Sequence, residues 1–308
     1  MQFVDAVFAS TVLMVVVGCI LLWGKALQRV WRSGRPWIDA ILPAETRERP
    51  FWTVADAMLM FGLSLVLTLL TAKLFVAIGQ IRPTTEGAPL SSDLLLAGLS
   101  AQSVGGLLAF TGTLAFLRMI RSDAAERLGL LWKAQDVGVG LKASLMLIPP
   151  TLLIAHFASL IVEYKHPVLD VMKQSPTPVF FIVLFIGTAL VAPWIEEFLF
   201  RVLLQGGLQA FADRPAETDV QEDPEDKDAV QVWRPKSLWP MFATSLIFAL
   251  MHGNQGAAAI PLFFFSVGLG FLYRQTGRIT PSLIVHIVLN GFTMSAEILR
   301  LLFTQTPA

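Results

Sequence analysis

Residues 179–200 read VFFIVLFIGTALVAPWIEEFLF, and these 22 residues decide the fold. A hydrocarbon core of ~30 Å takes about 20 apolar helical residues per crossing, so the run is one span. Outward from it lie seven more apolar segments: 6–23, 54–78, 94–117, 137–162, 238–258, 259–273 and 279–303. The chain is therefore expected to be an all-α, polytopic transmembrane helical bundle of about eight spans. The sixth and seventh segments meet at Gly253-Asn254-Gln255-Gly256, the least secure boundary.

The whole-chain composition agrees. Only 15% of residues are charged and the mean hydropathy is +0.64, whereas a soluble domain carries about 25% charge. Basic and acidic residues balance at 23 each, which excludes a nucleic-acid partner. The one cysteine, Cys19, lies in an apolar run, so neither an internal disulfide nor a cysteine metal cluster can form.

Lysines and arginines set the orientation. With the N-terminus outside, 17 of the 23 fall in the inner loops and four outside, while Lys73 and Lys142 lie within spans. This implies a multi-pass protein of the plasma (inner) membrane with both termini outside. Residues 1–136 read as N-terminal transmembrane helices and 137–303 as a core. Residues 212–237 interrupt that core as an acidic cytosolic insertion, expected to be disordered and without an apolar face.

Ionisable residues inside spans are costly and point to function. Glu196, Glu197 and Arg201 close the fifth span. On a helix Glu197 and Arg201 stand four apart and share a face, so they can pair. Glu196 lies ~100° away around the axis. It is expected to be desolvated and beside a like charge, conditions that suit a general base. Pro193, upstream, can open the helix locally. His252 closes the Phe248-x-x-x-His252 pattern, and His286 and Asn290 share a face of the last span. Alone, each has a bland reading: a helix-end charge, a packing histidine, a helix–helix hydrogen bond. Together, two imidazoles, a carboxylate and an amide can activate water and stabilise an oxyanion. His252, 13 residues beyond Trp239, is about 20 Å along a regular helix, too deep to meet Glu196 unless that helix tilts or starts in the interface.

The order Glu-Glu-x-x-x-Arg, Phe-x-x-x-His, His-x-x-x-Asn resembles the CPBP family of intramembrane proteases. That family includes the type II CAAX prenyl proteases and the proteins similar to lysostaphin resistance protein A. Ala192-Pro193 and Leu272-Tyr273-Arg274-Gln275-Thr276-Gly277 fit as flanks, and the likeness covers roughly 179–303. The resemblance implies that Glu196 and His252 activate water. It further implies that His286 and Asn290 complete a water or metal site or hold the oxyanion, and that Glu197 and Arg201 support them. The implied reaction is peptide-bond hydrolysis in or beside the membrane, on a membrane protein or lipidated peptide, with the site toward the cytosol.

A zinc ion is a possible cofactor: His252, His286 and Glu196 match the usual count of three protein ligands plus water. A metal-free water site is the alternative, because a ligating Glu196 no longer acts freely as base. The competing functions are a proton-coupled transporter and a non-catalytic scaffold or immunity protein of the same fold. All the motif residues lie in the C-terminal half, which does not fit the paired halves of a transporter.

Overall fold

A computed structural model describes residues 2–79, 92–162, 177–214 and 233–304. Among these the chain is all-α, with one isolated backbone bridge between Arg47 and Trp233. The long helices are α1 (Gln2–Ser33), α2 (Val54–Ala77), α3 (Ser92–Ile120), α4 (Ala134–Ser159) and α5 (Pro178–Ala212). They are followed by α6 (Trp239–Met251), α7 (Ala259–Thr276) and α8 (Ile279–Thr304).

These helices match the eight expected segments in order, but not all in reach. Six, namely α1 to α5 and α8, are long and apolar enough to cross a membrane. The 13 residues of α6 rise only about 20 Å. A 3₁₀ turn at Gly253–Gln255 and Gly256 at φ +64° separate α6 from α7. Two helices outrun their apolar runs. The helix α1 continues past residue 23 to Ser33 through good helix formers such as Lys25, Ala26, Leu27 and Gln28. The helix α5 continues past residue 200 because its polar side chains, Arg201, Gln205 and Gln209, turn inward and are buried.

The core forms around α5. Phe198, Val202 and Leu203 pack with Met60 of α2, Ala109 and Leu117 of α3 and Leu283 of α8. A second cluster joins Ala143 and Ile148 of α4, Phe265 and Leu269 of α7 and Val285 of α8. Small residues let helices touch: a Cβ on Gly106 of α3 would come within 2.5 Å of Ile195 of α5.

Prolines are tolerated because neighbours take over the carbonyls they abandon. Pro150 lies inside α4, four residues after Met146, and cannot donate to its carbonyl. The indole N–H of Trp23 in α1 donates to Met146 O instead, at 2.9 Å.

The insertion expected at 212–237 is anchored at both ends. Asp213 accepts from Lys236 N (2.8 Å), Ser237 N (3.0 Å), Ser237 Oγ (2.6 Å) and Gln209 Nε2 (2.7 Å). Burial alone would raise its pKa, but these donors outweigh burial and lower it. Trp233 pairs with Arg47 through both backbone groups. Residues 215–232 lie outside the described residues, and the expectation of disorder falls on them.

Candidate active site

The helix α5 is irregular where it carries its charges. Thr177 caps its start by accepting from Phe180 N at 3.2 Å, with Pro178 at the first position. Its α spacing gives way to π spacing at Ile186–Val191, returns at Ala192–Glu197, and is lost again at Phe198–Gln205. Glu196 and Glu197 thus end one short α turn held between two π segments, a distortion frequent at functional sites.

The first π segment ends at a proline. Ala192 N–H reaches back five residues to Gly187 O. At the same spacing Thr188 O needs the N–H of residue 193, and Pro193 has none. Asn290 of α8 fills the gap, its Nδ2 donating to Thr188 O at 3.0 Å. This contact holds α5 against α8, and the Asn290 amide is not among the contacts of the two carboxylates.

The carboxylates meet His286 of α8 from two sides. Glu197 Oε1 lies 3.0 Å from His286 Nδ1, and Glu196 Oε2 lies 3.6 Å from His286 Nε2. A carboxylate only accepts, so Nδ1 carries the proton and Nε2 faces Glu196. The 3.6 Å gap is too long for a hydrogen bond, so the Nε2 lone pair stays free. Glu197 also faces Arg201 Nε at 3.4 Å, both side chains having no solvent exposure. Glu196 keeps 27% of its side chain exposed, against none for Glu197.

Further groups, not singled out from the sequence as site residues, complete the setting. Arg201 Nη2 donates to Ser266 Oγ of α7 at 2.8 Å. The Arg201 guanidinium sits over the Phe248 ring of α6, 5.4 Å from its centroid. Phe248 also stacks on His252 at 4.6 Å and meets His286 edge-on at 6.0 Å, while Phe265 closes on His286 at 5.6 Å. The Phe-x-x-x-His spacing was the signal for Phe248, since side chains four apart on a helix touch. His252 Nδ1 lies 2.8 Å from Phe248 O, so Nδ1 donates and Nε2 keeps its lone pair.

Three buried atoms at the centre, Glu197 Oε2, Arg201 Nε and Arg201 Nη1, have no hydrogen-bond partner. His286 and His252 both engage Nδ1, with Glu197 Oε1 and with Phe248 O, which leaves both Nε2 atoms open to a water or to a metal ion. Among the described residues no group of three His, Cys, Asp or Glu side chains is placed to hold a metal. Zinc held by His252, His286 and Glu196 and a metal-free water site thus both remain compatible with the open Nε2 atoms.

One comparison with known proteins bears on this site. The family model for type II CAAX prenyl endopeptidase Rce1-like proteins matches residues 178–292. No curated protein and no solved structure matches the chain. The Rce1-like segment runs from the first residue of α5 into α8 and contains Glu196, Glu197, Arg201, His252, His286 and Asn290. The protein is thus an integral, multi-pass membrane protein with a segment similar to a protease family.

Proposed function

We propose that the protein is an intramembrane endopeptidase that cuts the peptide bond following a lipidated cysteine and releases a short C-terminal peptide. The observation that carries this reading is His286. It is fixed by buried Glu197 at 3.0 Å on one nitrogen and faces the part-open Glu196 at 3.6 Å on the other, within an Rce1-like segment.

In this reading a water sits between Glu196 and the free Nε2 of His252. Glu196 takes a proton from it as the oxygen attacks the scissile carbonyl carbon, giving a tetrahedral intermediate. The C–N bond then breaks, and Glu196 returns the proton to the leaving amine. The products are a carboxylate and a free amine. His286, held by Glu197, donates from Nε2 to the oxyanion when protonated. Arg201 pairs with Glu197 at 3.4 Å, and Asn290 holds α5 in place through Thr188. The excess of basic residues in the inner loops supports a site on the cytosolic side of the inner membrane.

Purified protein in lipid nanodiscs, given a farnesylated peptide ending in a CAAX sequence, is expected to release the terminal tripeptide. Glu196→Gln is expected to fold and to release it more slowly by a factor on the order of 10²–10⁴. Intact peptide in the wild-type reaction, with the protein folded, would overturn the assignment.

A further inference from the structure

The second π segment of α5 ends as the first does, with one carbonyl passed over. Gly206 N–H points at Arg201 O and Leu203 O, on either side of Val202 O, before α spacing resumes. Val202 is fully buried, and a buried carbonyl left unpaired is costly. The missing donor comes from Trp52, whose indole Nε1 donates to Val202 O at 2.8 Å.

Trp52 is built in rigidly. It is 3% exposed and packs edge-on against Phe51 at 5.4 Å. It precedes Thr53, which begins α2 in a capping box with Asp56, so the backbone beside it is fixed. Its ring lies against Gly206, where any Cβ would come within 2.9 Å of the indole. Val202 directly follows Arg201, the partner of Glu197. The register of this π segment therefore sets where Arg201 stands relative to the carboxylates. A slip back to α spacing would rotate Arg201 away from Ser266 and Phe248.

We propose that Trp52, outside the Rce1-like segment, is a positioning residue. Its indole N–H pins the π register of Phe198–Gln205 and so aims the Arg201–Glu197 pair at His286. Asn290 pins the other π segment, and the two clamps hold the Glu196–Glu197 turn from both ends. The kinetic part of this inference rests on the endopeptidase reading; the geometric part does not.

The test uses Trp52→Phe in the full chain. This variant keeps an aromatic ring beside Gly206 and removes the donor. Two readouts are taken on folded protein: kcat and KM on the farnesylated peptide, and the ¹⁵N signals of the His286 ring, assigned with His286→Gln. The expected result is a kcat lower by about tenfold or more, a scale that a small misplacement of catalytic groups can produce. KM should be nearly unchanged, and the Nδ1 signal should move away from that of a carboxylate-bonded imidazole. A purely structural role would lower the yield of folded protein without moving the ring signal or kcat per folded molecule. Unchanged kcat and an unchanged ring signal overturn the proposal. If the wild type cuts no peptide, the endopeptidase reading fails, and the ring signal still decides the role of Trp52. If Trp52→Phe does not fold, benzothienylalanine at position 52 replaces it, an indole-shaped ring with sulfur for N–H. Failure of that isostere to fold would make the N–H a folding requirement and overturn the positioning role.

Discussion

Two arginine–carboxylate clusters tie this bundle together, and they differ in how completely they are satisfied. Beyond the end of α7, Arg278 is saturated. Its Nε donates to both oxygens of Asp136 at 2.9 Å, its Nη2 to Glu45 at 2.7 Å, and its Nη1 to Glu45 and to Thr276 O. Within α5, Arg201 has one side-chain hydrogen bond, to Ser266, while its Nε meets Glu197 Oε2 only as an ion pair at 3.4 Å and its Nη1 has no hydrogen-bond partner. Buried polar groups are normally paired, and an exception calls for a reason. The saturated cluster braces the loop ends. The unsaturated one, next to two carboxylates and an imidazole, keeps polar capacity for water or substrate.

The largest expected effects come from removing either arginine. Arg201→Met strands the fully buried Glu197 and is expected to cost about 3–5 kcal/mol in unfolding free energy. Arg278→Met likewise strands a fully buried carboxylate, Asp136, and should cost a similar amount. The two part on activity: only Arg201→Met is expected to lower peptide cleavage per folded molecule as well. Denaturant unfolding in a mild detergent and cleavage by the folded fraction check this; equal loss of cleavage would erase the distinction between working site and brace.

A smaller effect comes from pH. Hydrogen bonding to Arg278 holds the pKa of Glu45 below its ordinary 4.5. A carboxyl lowered on folding contributes stability that is fully present above its unfolded pKa and lost as pH falls through its folded pKa. The difference in melting temperature between wild type and Glu45→Gln should hold steady from pH 7 to about pH 5 and shrink below 4.5. A difference that grows on acidification would contradict the pairing.

The smallest effect is expected from removing residues 215–232. Asp213 and Ser237 already close the base of that excursion at 2.6 and 3.0 Å. Peptide cleavage and melting temperature should stay near wild type, while Asp213→Asn, which weakens the base, should lower the melting temperature measurably.

Much of this was legible in the sequence, and the rest fails for physical reasons. The eight apolar segments, the i,i+4 placement of Glu197 and Arg201 and the importance of Pro193 follow from local spacing. The Thr53-x-x-Asp56 capping box could have been found the same way. The bonds from Arg278 to Asp136 and Glu45 span 142 and 233 residues, and no local period carries that information. The roles of Trp52 and Asn290 depend on which carbonyl a π turn skips, and a 3.6-residue reading of α5 cannot supply it. The same regular reading turned Glu196 away from Glu197, whereas the two meet one imidazole from opposite sides.

In the proposed reaction the two adjacent glutamates do different work: Glu196 moves the proton and Glu197 positions His286. Glu196→Gln and Glu197→Gln, compared for single-turnover peptide cleavage and for unfolding free energy, test it most directly. The expected result is that Glu196→Gln loses cleavage by a factor on the order of 10²–10⁴ at wild-type stability. Glu197→Gln, which leaves buried Arg201 uncompensated, should lose stability as well as rate. Cleavage by Glu196→Gln at the wild-type rate, or Glu197→Gln as stable as wild type, would contradict the account.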